Sequence, residues 1–277
     1  MTGLASEPAR RLADDSAGPP ARPYRVFGAV LWRDIFVTGR ELPIFLAQVL
    51  LQPLFLLFVF GKVLSAIGQT QSSYATELLF PGIVALTSTL TSLQGTALPL
   101  VLDFSFSREI EDRLLAPMPL PWVAVEKIVF ATLRGLIAAA VMFPLGYLLL
   151  GSLSVHRPRL PLLVVVLILG ALLGSTLGLV LGTLVPPNRI NIMFALILTP
   201  LMFTGSTQYP WESLARLRWF QVVTAFNPLT YLSEAMRATL VPSRPHMPLW
   251  VSLPVVLASV LVFGAIGLRG FRQRALD

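Results

Sequence analysis

The run PLLVVVLILGALLGSTLGLVLGTLV, from Pro161 to Val185, contains no charged residue. It is longer than the roughly 20 apolar residues that a helix needs to cross a bilayer. Glycine recurs at every fourth position, at Gly170, Gly174, Gly178 and Gly182. Each step of four rotates about 40° around a helix, so the glycines form one smooth groove. Small residues at this spacing let another helix approach closely. We expect packing inside the subunit, with a subunit interface as the alternative.

Further apolar stretches flank this run, and together they predict an all-α membrane protein with six transmembrane helices. The predicted spans are Leu42–Leu64, Leu79–Leu102, Trp122–Leu150, Pro161–Val185, Asn191–Thr207 and Leu249–Leu268. The composition agrees, because 55% of the 277 residues are hydrophobic and only 13% are charged. An average globular protein has about 25% charged residues. This arithmetic excludes a soluble enzyme, a disordered regulator and a fibrous protein.

The distribution of charge predicts the orientation of the chain in the membrane. Six spans place both termini on one side, and more of the Lys and Arg residues fall on that side than on the other. This bias predicts that both termini are cytoplasmic, in a plasma (inner) membrane. The net charge is +7, and the basic residues responsible for it flank the apolar runs. They therefore indicate topology and contact with anionic lipids rather than nucleic-acid binding. Residues 1–23 are predicted to be a disordered tail, and residues 269–277 form a second cytoplasmic tail.

A helix lying in the membrane interface is predicted from Tyr24 to Glu41. Arg25, Arg33 and Arg40 are spaced by eight and seven residues, so they share one helical face. Trp32 is suited to the depth of the lipid headgroups. The alternative is that this segment continues the first span.

The turn from Asp103 to Pro121 joins the second and third predicted spans on the inner side. Ser107 is placed to cap a short helix that has acidic residues in its first turn and Arg113 later, an order that suits the helix dipole. The prolines that follow end this helix. A short charged helix at the inner membrane surface suits docking into a groove on a partner. A solvated turn is the alternative.

Arg134 lies inside the third predicted span, on roughly the same helical face as Glu126 and Lys127. Because a charge within the membrane is costly, Arg134 is expected to be paired, to face a wet cavity, or to reach the inner interface. We favour the last of these, since long basic side chains near a helix end can extend to the interface. Three aromatic residues of the first span are candidates for lining a pathway, although packing is their ordinary role. They are Phe45, Phe55 and Phe58.

The long segment between the last two predicted spans is expected to form a hairpin of two short helices at the outer face. The first is predicted from Pro210 to Val223, and the second from Leu229 to Leu240. Asn227 and Pro228 suit the cap and first position of the second helix. The residues singled out in this hairpin are Asn227, Pro228, Tyr231, Glu234 and Arg237. The last two are three residues apart, a spacing that allows an ion pair.

These motifs resemble those of a known family. The run Asn227-Pro228-Leu229-Thr230-Tyr231, followed six residues later by Arg237, resembles the signature near the carboxyl end of ABC-2 type permeases. Residues 109–117, which include Leu114-Leu115-Ala116-Pro117, resemble that family's first cytoplasmic loop, with Val123 and Lys127 following. The most similar branch contains the daunorubicin-resistance and nodulation-factor export permeases. One departure is Asp112-Arg113, which stands where family loops often carry a Gly-Thr pair. The resemblance covers about residues 24–268.

The resemblance implies an ATP-driven exporter in which this chain is the membrane subunit. The permease would pair with a second copy or a similar permease. Two cytoplasmic ABC ATPase subunits would bind ATP and Mg, and this chain would hold no cofactor or metal. The coupling helix entering the ATPase would contain Arg108, Glu109, Glu111, Asp112, Arg113, Leu114, Leu115 and Pro117. The helix at 24–40 would lie beside it, and the outer hairpin would cap the pathway.

Three classes of function are compatible with a membrane chain of this kind. The sequence has no G-x-x-x-x-G-K-[ST] motif, so an exporter of this type would take its energy from a separate ATPase. Its cargo would be an amphipathic drug-like or lipidic molecule, with a lipid-linked glycan or polysaccharide as the alternative. A gradient-driven carrier or channel is a second class. An intramembrane enzyme is a third, although neither G-x-S-x-G nor H-E-x-x-H occurs.

Overall fold

The computed structural model describes residues 23–40, 42–68, 75–103, 120–151, 153, 159–186 and 189–274. Within these ranges the chain consists of helices and connecting turns, without a β-strand. The predicted all-α architecture is therefore confirmed. The predicted amino-terminal tail and the turn at 104–119 lie outside the described residues.

Nine α-helices of eight or more residues follow one another in the described part of the chain. In chain order they are α1 (Pro23–Arg40), α2 (Leu42–Leu57), α3 (Phe80–Leu102), α4 (Leu120–Leu150), α5 (Leu160–Leu184), α6 (Ile190–Thr204), α7 (Arg218–Ala225), α8 (Pro228–Leu240) and α9 (Leu249–Arg274). A π-helical turn, Phe58–Val63, extends α2 into the short helix Leu64–Ala66. A second π-helical turn, Ala75–Leu79, precedes α3.

Among the described residues, five helical segments are long and apolar enough to cross a membrane. They are Leu42–Ala66, Glu77–Leu102, Pro121–Leu150, Leu160–Leu184 and Leu249–Arg274. The predicted fifth span, Asn191–Thr207, corresponds to α6, which has only 15 residues. That length spans about 22 Å, less than the roughly 30 Å of a hydrocarbon core. A sixth span is therefore not confirmed.

The end of α6 is set by contacts of the turn that follows it. The helix stops at Thr204, and Ser206 takes a positive φ of 50°. This turn presents the carbonyl groups of Ser206 and Thr207 to the guanidinium of Arg237. The sequence pattern could not show these contacts, because Ser206 and Thr207 lie about 30 positions before Arg237.

Helix α3 lies at the centre of the molecule. In the most apolar 18-residue stretch of this candidate span 83% of the residues are buried, against 17% in the corresponding stretch of α9. Several of its buried side chains are hydroxyls, and Thr87 and Thr89 donate hydrogen bonds of 2.8 and 2.9 Å to Ile83 and Ala85 carbonyl oxygens. Such bonds back to the preceding turn let a helix bury Ser and Thr in apolar surroundings.

The glycine groove of α5 faces α3 within the same chain. A β-carbon at Gly174 would overlap the carbonyl group of Thr89, and one at Gly178 would overlap that of Leu93. Beside Gly182, an added β-carbon would lie 3.0 Å from the Leu100 β-carbon. At Gly170 it would meet Leu232 of α8 at 2.8 Å. The two backbones approach closely because these positions have no side chain.

The outer hairpin differs from its prediction in the first half. A single helix from Pro210 to Val223 is wrong, because a 3-10 helix, Trp211–Arg216, is followed by the separate helix α7. Leu217, with φ −119° and ψ 63°, breaks the continuity between them. The second half agrees with the prediction, since α8 runs from Pro228 to Leu240.

Candidate functional site

The carboxyl end of α3 and the first turns of α4 are joined by an ion pair. Lys127 Nζ lies 3.3 Å from Asp103 Oδ2, and the two side chains are only 8% and 11% exposed. The contact is electrostatic rather than an aligned hydrogen bond. Glu126, next to Lys127, is completely buried. The pair therefore fixes the two points from which residues 104–119 leave the membrane helices.

The predicted coupling residues lie between these two points, outside the described residues. They are Arg108, Glu109, Glu111, Asp112, Arg113, Leu114, Leu115 and Pro117. The ion pair at their base was not found from the sequence, since Asp103 and Lys127 are 24 positions apart and only packing of α3 on α4 brings them together.

Helix α1, the predicted interface helix, packs against the start of α4. The rings of Phe27 and Trp122 meet edge to face with centroids 5.8 Å apart. Trp32 is 68% exposed. Arg25 is exposed, Arg33 pairs with the adjacent Asp34, and Arg40 lies over the ring of Phe36. The helix thus presents both aromatic and cationic groups on its surface.

The outer end is organised around a buried carboxylate and guanidinium on α8. Arg237 Nη1 donates to Glu234 Oε1 at 2.7 Å, and the side chains are 1% and 0% exposed. This is the ion pair that their spacing allows. The second carboxylate oxygen accepts from the backbone N–H of Met247 at 3.0 Å, and Oε1 also accepts from that of Trp211 at 2.9 Å.

Arg237 extends the network to two further segments. Its Nε donates to the carbonyl oxygen of Leu78 at 3.1 Å, and Nη2 donates to that of Ser206 at 2.5 Å. One ion pair therefore connects α8 with the residues before α3, after α6, at the 3-10 helix and before α9. A buried pair with all these partners is stable in place, whereas either charge alone would be strongly unfavourable.

Asn227 holds the turn between α7 and α8. Its Oδ1 accepts from the backbone N–H of Leu229 at 2.9 Å, so it caps α8 and leaves Pro228 at the first helical position. Its Nδ2 donates to Leu201 O at 2.8 Å and Thr204 Oγ1 at 2.9 Å. Asn227 thus caps one helix and ties it to another.

Two tyrosine hydroxyls complete the hairpin. Tyr231 donates to the carbonyl oxygen of Ala225 at 2.9 Å. Tyr209 donates to that of Phe203 at 2.5 Å. Burial raises the pKa of Tyr209, and the positive charge of Arg237 opposes this shift more weakly. The phenol is therefore held as a neutral donor.

The three phenylalanines proposed for a pathway do not lie together. Phe45 is 7% exposed and its ring lies beneath the guanidinium of Arg134. Phe55 and Phe58 are 65% and 45% exposed and line an apolar groove of about 380 Å³. Its other lining residues are Leu51, Leu54, Leu145, Leu148 and Leu149. The groove is between α2 and α4.

A polar cavity between α2 and α3 was not recognised from the sequence. Its volume is about 150 Å³, and none of its lining residues is charged. The polar ones are Gln48, Gln52, Thr87, Thr91 and Gln94. The sequence does contain a signal for it. The polar residues of α2, and likewise those of α3, recur every three or four positions, so each helix carries them on one face.

Metal chemistry has no support in the described part of the chain. No group of three or more His, Asp or Glu side chains there is arranged to hold a metal ion. His246 Nδ1 lies 3.1 Å from the carbonyl oxygen of the adjacent Met247.

Comparison with known proteins agrees with this architecture. The sequence model of the family described as ABC-2 type transporter matches residues 25–241, which extend from α1 to the end of α8. A Cyanophora paradoxa protein named as a transport permease, ycf38, is 27% identical over 218 residues. That alignment covers 75% of this chain and 72% of the relative. With its apolar helices and a match over most of its length, the chain belongs to the ABC-2 type transporter family and is a multi-pass membrane permease.

Proposed function

We propose that this chain is the permease subunit of an ABC exporter that moves an amphipathic, drug-like or lipidic molecule out of the cell. Family membership implies a partner ATP-binding subunit. Two such subunits, which bind ATP and Mg, act below a pair of permeases formed by this chain with a second copy or a similar one. The membrane is the plasma membrane, with both termini in the cytoplasm. The daunorubicin-resistance and nodulation-factor branch is the one we favour.

The buried pair of Asp103 and Lys127 is the observation that carries this proposal. It joins the helices that precede and follow residues 104–119, so a force applied to that segment reaches both helices together. Helix α3 is the most buried candidate span, in contact with α4 and α5. A displacement at its inner end is therefore passed to the core of the permease rather than absorbed at the surface.

The two spaces along α2 support an amphipathic cargo. The groove with Phe55 and Phe58 is apolar, whereas the cavity with Gln48 and Gln94 offers amides and hydroxyls. An amphipath needs both kinds of surface. The uncharged hydrogen-bonding groups of the cavity also favour a lipid-linked glycan as the second candidate, because sugar hydroxyls are bound by such groups.

The coupling assignment is tested with the double variant Glu111→Ala/Leu115→Ala. The tagged permease is isolated from its native membranes together with its ATPase, and transport and ATP hydrolysis are measured in proteoliposomes. We expect the variant to fold and to hydrolyse ATP without transport, or to lose the ATPase. The matched control is Glu212→Ala/Leu217→Ala, which removes an exposed acid and an exposed leucine from the outer hairpin.

The control variant is expected to transport like the wild type. Unchanged transport and ATPase binding in the coupling variant would remove the assignment of residues 108–117. Transport driven by a proton gradient in vesicles without any ATPase would instead favour the gradient-driven carrier. The cargo itself is found by measuring which compounds stimulate the ATPase activity of the purified complex.

A further inference from the structure

Arg134 is a cation placed inside a candidate membrane span without a carboxylate beside it. It lies in the segment Pro121–Leu150, two helical turns beyond Lys127. Among the described residues no Asp or Glu forms an ion pair with it; the ion pairs found there are Asp103 with Lys127, Glu234 with Arg237, Glu77 with Arg244 and Asp34 with Arg33. Its Nε is fully buried and donates no hydrogen bond.

Two aromatic rings and a glycine hold the side chain instead. Its Cζ lies 4.2 Å from the ring centroid of Phe45 and 5.7 Å from that of Phe130. A β-carbon at Gly95 would lie 3.9 Å from Arg134 Cδ, so the arginine side chain packs against α3 at a position that has no side chain. Aromatic faces stabilise a cation, but they supply no acceptor for the N–H donors of a guanidinium. The guanidinium therefore lies against aromatic rings, while its buried Nε donates no hydrogen bond.

The residues that contact the Arg134 side chain are close in sequence to residues that line the polar cavity. Gln48 follows Phe45 by three residues on α2, and Gln94 precedes Gly95 on α3. The cavity holds amides and hydroxyls and no acid. A guanidinium with neutral hydrogen-bonding groups beside it attracts an anion and can satisfy several of its oxygens. An acid in the cavity would have repelled one.

We propose that Arg134 and the cavity of Gln48, Gln52, Thr87, Thr91 and Gln94 bind the anionic headgroup, a phosphate or a carboxylate, of an amphipathic molecule held in the membrane. The guanidinium binds the charged oxygens, and the amides and hydroxyls bind the neutral part of the headgroup. The apolar chain lies against neighbouring apolar surface. As a description of the cargo, this rests on the proposed export function. An anionic membrane lipid has the same chemistry, and the experiment separates the two.

The test measures equilibrium binding of radiolabelled dodecyl phosphate to the full-length permease in phosphatidylcholine nanodiscs, with empty nanodiscs as background. Because no ATPase is present, the result is independent of whether the coupling proposal holds. Arg134→Gln removes the charge, Arg134→Lys keeps it, and Gln94→Leu removes one amide of the cavity. Arg269→Gln is the matched control, because it removes an exposed arginine at the inner end of α9.

We expect saturable binding to the wild type and to Arg269→Gln. Binding should weaken about tenfold or more in Arg134→Gln and severalfold in Gln94→Leu, since bonds to charged groups are stronger than neutral ones. Arg134→Lys should remain closer to the wild type than Arg134→Gln. Binding of dodecyl maltoside, which has no charge, should be the same in the wild type and in the variants of residue 134. If Arg134→Gln does not fold, Gln94→Leu and Arg134→Lys still decide the outcome.

Several results would overturn the proposal. They are equal binding of dodecyl phosphate to wild type and Arg134→Gln, unchanged binding in Gln94→Leu, and equally tight binding of inorganic phosphate alone. Competition by phosphatidylglycerol added to the nanodiscs identifies a resident lipid as the occupant. The absence of that competition, together with stimulation of the complex's ATPase by dodecyl phosphate, identifies a transported molecule. Both outcomes retain the anionic-headgroup site.

Discussion

Lys127 Nζ lies 3.3 Å from Asp103 Oδ2 and ties the first turns of α4 to the carboxyl end of α3. These two residues bracket the whole segment 104–119. The pair is nearly excluded from solvent, so it is sensitive to the loss of either partner.

The first prediction concerns this pair. Asp103→Asn and Lys127→Met should each destabilise the permease by about 3–5 kcal/mol, because each leaves one charge buried without its partner. The double variant should recover most of this loss. Unfolding by dodecyl sulfate in mixed micelles measures the free energies. The control is Asp34→Asn, which breaks the more exposed pair with Arg33 and should change stability by less than about 1 kcal/mol. Additive losses in the double variant would contradict a direct pairing.

The second prediction concerns the outer network. Glu234→Ala should cost about 3–5 kcal/mol, because Arg237 and two backbone N–H groups lose their acceptor in a buried position. The variant is expected at a reduced folded yield after detergent extraction, measured by size-exclusion chromatography. Arg244→Gln is the control, since its pair with Glu77 is 45% and 23% exposed and should contribute at most about 1 kcal/mol. A full yield of Glu234→Ala would show that the network is dispensable.

The third prediction concerns the glycine groove. Gly174→Ala should separate α5 from α3 and destabilise the protein by about 1–3 kcal/mol, because its β-carbon would overlap the Thr89 carbonyl group. Gly28→Ala in α1 is the control, since an added β-carbon there meets nothing within 4 Å. That substitution should be neutral or stabilise the helix by about 0.5–1 kcal/mol. The same unfolding assay compares them, and equal effects would exclude close packing at Gly174.

The fourth prediction separates the two roles of Asn227. Asn227→Ala loses both the cap on Leu229 N and the bonds to Leu201 and Thr204, so it should cost more than the roughly 1 kcal/mol of a cap alone. Asn227→Ser keeps a capping oxygen and loses the amide donors without adding a charge. Its cost should therefore be the smaller of the two in the unfolding assay. An equal cost would mean that the cap contributes nothing measurable.

Several features of this protein follow from local sequence and were predicted correctly. Long apolar runs predict membrane helices because each residue contributes to burial regardless of its neighbours in space. The cap at Asn227 and the pairing of Glu234 with Arg237 involve residues at most three positions apart, so helix geometry alone brings them together. The motif at residues 227–237 led to the family that the comparison then showed.

Other features required the positions of helices relative to one another. The short helix α6 was predicted as a full span, because its composition is apolar and its end depends on contacts of Ser206 and Thr207 with Arg237, some 30 positions away. The surroundings of Arg134 could not be predicted, since no sequence pattern shows that Phe45 and Gly95 lie around it.

The sequence by itself determined that this chain is an all-helical membrane protein, where its apolar helices lie, and to which family it belongs. Hydrophobic length, spacing and motif are properties of consecutive residues, so they can be read without a fold. Only the tertiary structure decided that Asp103 meets Lys127, that α2 and α3 enclose a polar cavity, and that the guanidinium of Arg134 lies over the ring of Phe45. Those contacts join residues far apart in the chain, and they exist because the packing of the helices, rather than the order of residues, sets distances between them.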